Sequence, residues 1–201
     1  MNTSLPATRR QVLGAFGGLG LGLLLGRSVR AANGPTDSVY HLEATLTDQA
    51  GRTRTLADGQ GHPVLVTMFY TGCQFTCPMI VEAVRSTEAQ LTAEERAKVS
   101  VLMISIDPAH DTVAVLKQTA DQRQLESPHW TLARAEAAHV RKIAAVLGFQ
   151  YRALPGGEFN HTTALVLLDA QGRIAGRTSQ LGKADAGFVK KLKQSVQAPA
   201  A

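Results

Sequence analysis

Cys73 and Cys77 are the only cysteines in this 201-residue chain, and they stand four positions apart in the segment MFYTGCQFTCPMI, residues 68–80. Two thiols so placed admit three chemistries: a structural disulfide, a redox couple, or two ligands of one metal ion. If the loop folds like one helical turn, four residues rise about 6 Å, within the Cα separation of a disulfide. The same closeness lets both sulfurs hold one ion. A bridge over so short a loop constrains the unfolded chain much less than a long-range one, so a pure staple is an inefficient use of the pair. Three residues intervene, Gln74, Phe75 and Thr76, which departs from the C-x-x-C spacing of common dithiol reductases. Pro78 suits the first position of a helix. That would make Cys77 the N-cap, where backbone N–H groups and the helix dipole favour a thiolate.

The next chemistry-bearing residues are six histidines, at 41, 62, 110, 129, 139 and 161. His139 falls in a helical pattern, His110 precedes a cap, and His41 and His62 lie near strand starts with no evident partner. His161 differs, because it follows the turn sequence LPGGEFN and immediately precedes the apolar run TTALVLLD at 162–169. In a sheet protein that position can approach the cysteine loop through a neighbouring strand. Two thiolates and one imidazole form a soft donor set of three. Structural zinc wants four closed ligands, whereas thiolate with imidazole suits copper, and Cu(I) especially. Asp107 and Asp111, in SIDPAHDT, read first as a turn and a helix cap. The alternative is a supporting hydrogen bond near the cysteine loop, with Asp107 as the candidate.

The elements that must position these residues follow from hydrophobic periodicity and turn signals. Segments 38–45 and 52–56 flank DQAG and predict an N-terminal β-hairpin. PVLVTMFY (63–70), VSVLMISI (99–106), HWTLA near 130 and TTALVLLD (162–169) read as strands, the longer ones buried. DAQG (169–172) turns the last of these into RIAGRTS. Helices are expected from Pro78, over 111–123 with Asp111 as cap, over 135–147 closed by Gly148, and over 183–196. Strand–helix alternation implies a mostly parallel or mixed sheet flanked by helices, with ligands at the carboxyl ends of strands. The loop carrying Cys73 and Cys77 occupies such an end.

The formal net charge of +5 first suggests an acidic partner such as nucleic acid. Four of the 21 basic side chains, Arg9, Arg10, Arg27 and Arg30, lie within the first 31 residues, which hold no Asp or Glu. The remaining 17 basic groups nearly balance the 16 acidic ones, so phosphate-driven binding loses its support. TRRQVL places an arginine pair as in a twin-arginine leader. Val12 to Gly26 then run without charge, six of the fifteen being glycine; as a helix they would span about 22 Å against roughly 30 Å of bilayer hydrocarbon. Cleavage is expected after Ala31 or Ala32. The resulting organisation is a signal segment 1–31, a linker 32–37, one domain 38–196 and a frayed tail 197–201. The location is periplasmic, with membrane association only if the signal is retained.

At these residues the chain resembles the Sco/SenC copper proteins, over about residues 38–195. The resemblance rests on FYTGCQFTCP, on SIDPAHDT at 105–112, and on NHTTALVLLDAQGRI around His161. It implies a thioredoxin-like fold, copper, as Cu(I) or Cu(II), on reduced Cys73 and Cys77 with His161, and a part in assembling the copper site of cytochrome c oxidase. Two departures concern partner choice and any fourth ligand. Gln74 and Thr76 stand where proline and an acidic residue are frequent, and the loop before His161 carries one acidic residue, Glu158.

The reading that results is a metallochaperone whose partner is a copper-acceptor protein, the oxidase copper subunit by resemblance; transfer needs no turnover chemistry, so it is not an enzyme. The alternative is a thiol–disulfide oxidoreductase in which Cys73 and Cys77 form a redox-active disulfide and reduce the acceptor's cysteines. A third class, a thiol peroxidase, wants an arginine beside an activated cysteine, and the loop contains none.

Overall fold

The computed structural model describes residues 37–73, 76–126 and 128–198. The leader, almost all of the linker and the last three residues lie outside them. A 3-10 turn at Val39–His41 leads into β1 (Leu46–Asp48) and β2 (Thr53–Arg54), a hairpin shorter and later than the sequence suggests. Residues 42–45 lie in no strand. The turn is built by Asp48, whose fully buried carboxylate accepts the N–H groups of Ala50 and Arg52 and pairs with the Arg52 and Arg54 guanidinium groups. Asp169 repeats the device for the second D-x-x-G-R turn, accepting from the N–H groups of Gln171 and Arg173.

After a second 3-10 turn (Leu56–Gly59), the order is β3 (Val64–Phe69), α1 (Thr76–Glu88), the short α2 (Ala93–Arg96), β4 (Ser100–Ser105), α3 (Val113–Gln122), β5 (Trp130–Arg134), α4 (Ala137–Leu147), β6 (Tyr151–Ala153), β7 (Phe159–His161), β8 (Leu165–Leu168), β9 (Ile174–Thr178) and α5 (Ala186–Gln197). Seven strands form one mixed sheet in the order β2-β1-β5-β4-β3-β8-β9. β3 and β4 are parallel, as are β4 and β5, while β8 runs antiparallel to β3. Every residue of β3 and β8 is buried, which requires cover on both faces of the sheet. The one polar residue in β3, Thr67, donates its hydroxyl to the Ala164 carbonyl at 2.8 Å. The fold is thioredoxin-like, with a mixed sheet flanked by helices, as expected.

Helix ends explain where expectation and structure part. Gly148 closes α4 in the left-handed region, φ 68°, as its position predicts. α3 is capped not by Asp111 but by Thr112, whose hydroxyl accepts the Val115 N–H at 3.3 Å. β6 and β7 form a separate two-stranded hairpin where the sequence suggests a turn, since both are only three residues long and half-exposed. Its connection holds Gly156 (φ 93°) and Gly157 (φ 84°), backbone conformations that suit glycine alone. Among the described residues no helix is long and apolar enough to cross a membrane.

Candidate metal centre

β3 ends at Phe69, and the chain leaves the sheet at Tyr70. The Tyr70 carbonyl accepts the Cys73 N–H at 3.2 Å and the Cys77 thiol at 3.5 Å, so one oxygen holds both cysteines. The thiols hydrogen-bond to each other and are not joined in a disulfide. Both side chains are buried, at 7% and 3% exposure. Burial pushes the Cys77 thiol up to about 12, and the neighbouring Cys73 adds to the shift, while Arg123 pulls weakly the other way. The expectation of a stabilised thiolate at Cys77 is therefore overturned. Because α1 begins at Thr76, Cys77 lies inside the first turn rather than at the cap, and desolvation of the sulfur outweighs the dipole.

The fold also explains how a distant histidine reaches this end of the sheet. β8 is antiparallel to β3, with Val66 opposite Val166 and Val64 opposite Leu168. The start of β8, and the hairpin before it, therefore stand beside the end of β3. His161 closes β7, opposite Tyr151 on β6. Its Nδ1 lies 3.1 Å from the Thr162 carbonyl. A carbonyl only accepts, so Nδ1 carries the proton and Nε2 keeps its lone pair. Burial holds the imidazole below its usual pKa, leaving it neutral at pH 7, the form that ligates metals.

Tyr70 connects the two halves. Its ring packs on Phe159 at 5.2 Å and meets the His161 ring edge-on at 5.8 Å, and its hydroxyl accepts the Phe159 N–H at 3.5 Å. The three sequence-predicted donors thus stand around one residue, the Cys77 thiol and the Cys73 backbone N–H at its carbonyl and the His161 imidazole at its ring. They do not converge further: among the described residues no three His, Cys, Asp or Glu side chains are placed to hold a metal ion together.

Asp107, the predicted supporting residue, turns to His110, with Nδ1 at 2.8 and 2.9 Å from its two oxygens. Asp111 takes the position nearest the cysteine loop instead. Its carboxylate, 1% exposed, accepts the Thr71 N–H at 3.2 Å, the Thr71 hydroxyl, and the Ser105 hydroxyl at 2.5 Å. The helix cap expected of Asp111 is supplied by Thr112. Nor did the sequence reveal Arg123, which leaves the end of α3 to line a small cavity with Thr71, Cys77 and Thr119. That supplies the arginine a peroxidase would want, but a thiol held near 12 is not the thiolate such chemistry needs. A cavity of about 550 Å³ lies at the opposite end of the strands, lined by His62, Lys98, Ser100 and His129 among others.

A family model for SCO1/SenC matches residues 35–197. The chain belongs to the SCO1/SenC family. Solved structures agree on the fold. An Aquifex aeolicus VF5 protein described as a putative electron transfer protein superposes with a TM-score of 0.70 at 21% identity, covering 79% of this chain and 93% of its own. Bradyrhizobium japonicum ScoI, solved with copper bound, gives 0.60 at 24% identity, covering 76% and 96%. BsSco, a Sco-family cytochrome c oxidase assembly protein described with a disulfide switch, gives 0.63 at 20% identity, covering 76% and 91%. No curated protein sequence matches the chain. At these identities the solved structures speak to the SCO1/SenC fold, and the site must be argued from the residues themselves.

Proposed function

We propose that this SCO1/SenC protein is a copper metallochaperone that binds its cargo through Cys73, Cys77 and His161 and passes it to an acceptor copper protein of a respiratory oxidase outside the cytoplasm. One observation carries the reading: two adjoining thiols and a neutral imidazole with its Nε2 lone pair available meet at a single residue, Tyr70. Two sulfurs and one imidazole match the preferences of copper and fall one ligand short of structural zinc. Copper bound in a Sco relative of the same fold supports the choice of metal. The arginine pair and apolar run of residues 1–31 support export by the twin-arginine route to the periplasm.

The residues divide the work. The Tyr70 carbonyl holds the Cys73 backbone and the Cys77 thiol at one point, and the two sulfurs adjoin, so two of three donors need no search. Each thiol must lose its proton to ligate, so loading releases protons. The β6–β7 hairpin must then move His161 from the Tyr70 ring to the sulfurs. A three-donor set leaves a position for an incoming ligand of the acceptor, and exchange proceeds through it without a free ion.

Anaerobic copper titration with a competing chelator tests this. Wild type is expected to bind about one copper per chain; Cys73→Ser/Cys77→Ser is expected to lose binding, and His161→Ala to weaken it by at least about a hundredfold, because losing even a residue that only supports a ligand costs roughly ten- to a hundredfold. Unchanged binding in His161→Ala contradicts the ligand set.

A thiol–disulfide oxidoreductase is the second reading, favoured by the direct hydrogen bond between the sulfurs and the separate stance of His161. It requires thiol exchange with an acceptor disulfide that depends on Cys73 and Cys77 and is indifferent to His161→Ala.

A further inference from the structure

Asp111 is a buried carboxylate with no part in the ligand set, and its surroundings ask what it is for. Burying such a group is costly unless hydrogen bonds replace its water. Here Thr71 and Ser105 supply three donors to its two oxygens. Helix capping does not account for it, because Thr112 performs that task for α3. Nor does joining β3 to β4, since six residue pairs from Val64–Ser100 to Phe69–Ser105 and the Ile106 N–H on the Phe69 carbonyl, at 2.8 Å, already do so. The bonds from Asp111 reach beyond that ladder, to the residue between Tyr70 and the glycine preceding Cys73.

We propose that Asp111 is a positioning residue for the sulfur pair: by gripping both the N–H and the hydroxyl of Thr71 from the connection between β4 and α3, it sets where the Tyr70 carbonyl points and so holds Cys73 and Cys77 side by side. The chain of contacts is continuous. Ser105 at the end of β4 donates to Asp111, Asp111 accepts the Thr71 N–H, and the Tyr70 carbonyl of that same peptide unit accepts the Cys73 backbone N–H and the Cys77 thiol. Its consequence is the effective concentration of one thiol at the other, which governs how readily the pair closes into a disulfide. This holds with or without copper.

The test is equilibration with glutathione in the absence of metal. One glutathione disulfide takes two electrons and the two thiol protons from Cys73 and Cys77, leaving the protein disulfide and two reduced glutathiones. Thr71→Val removes the hydroxyl donor and keeps the shape, Thr71→Ser keeps the donor, and Asp111→Asn replaces one acceptor oxygen with a donor. Thr71→Val and Asp111→Asn are expected to lower the oxidation equilibrium constant at least about tenfold, equivalent to about 30 mV for this two-electron couple. Thr71→Ser should stay within about twofold of wild type. Val189→Ala, in α5 at the far edge beside β9, serves as a control that lowers the melting temperature; it should leave the constant unchanged. The proposal is overturned if Thr71→Val matches wild type, if its constant rises, or if Val189→Ala shifts as far. Because no copper is present, the outcome is independent of the chaperone reading.

Discussion

The two ends of the strands each hold a half-buried histidine, and the two are driven in opposite directions. At the end away from the cysteines, His129 Nε2 meets Glu88 Oε1 at 2.5 Å, the carboxylate being 7% exposed and the imidazole 30%. That hydrogen bond raises the His129 pKa, against the effect of burial. At the cysteine end His161 faces a carbonyl rather than a carboxylate, and burial lowers its pKa. A carboxylate partner favours the imidazolium form, with both nitrogens protonated, fit for holding structure. Desolvation with a neutral acceptor leaves a lone pair, fit for a metal. What separates a ligand from a strut is the neighbour, which no residue type announces.

The sharpest way to break this contrast is to delete each histidine and titrate copper. His161→Ala should lose at least about a hundredfold in affinity and His129→Ala should lose nothing. Equal losses would erase the distinction. Proton competition comes next in size. With the Cys77 thiol pushed up to about 12, its proton must leave at any physiological pH. Apparent copper affinity should therefore rise at least about tenfold per pH unit between pH 6 and 8, read by competition at fixed ionic strength. A flat profile would mean that Cys77 is not a ligand. The smallest effect concerns stability. His129 has a folded pKa above its unfolded one, so its pairing with Glu88 stabilises fully below the unfolded pKa and fades as pH rises through the folded one. Glu88→Gln should cost on the order of 1 kcal/mol near pH 6 and less at pH 9, measured by denaturant unfolding. His161, with a depressed pKa, works in reverse: its contribution is lost as pH falls.

The long apolar strands, the cysteine loop at the end of β3 and the helix closed by Gly148 were legible because each rests on local pattern. Val64 to Phe69 can be read as a buried strand from composition alone. The first strand starts later than its pattern suggests, since Leu46–Asp48 is short and residues 42–45 lie in no strand. The hairpin Tyr151–His161 carries too little hydrophobic signal to distinguish from a loop. At the site, residue type and position mark Cys73, Cys77 and His161 as candidate donors, and the Sco/SenC resemblance implies that they share one copper. Their meeting at Tyr70 depends on the antiparallel placement of β8 beside β3, which is a tertiary fact. Asp107 and Asp111 show the same limit. Four positions apart in one motif, they differ only in which loop they face, and the partner on that loop, Thr71, is far away in sequence. The protonated state of Cys77 was missed because a helix start is visible in sequence and burial is not.

The central claim is that one imidazole joins two sulfurs on one copper ion. X-ray absorption spectroscopy of the anaerobically copper-loaded protein addresses it directly. Wild type is expected to show two sulfur neighbours and one imidazole nitrogen with its outer-ring scattering, and His161→Ala to keep the sulfurs and lose the imidazole. An unchanged imidazole signal in His161→Ala, or a wild-type copper with sulfur neighbours alone, would contradict the account.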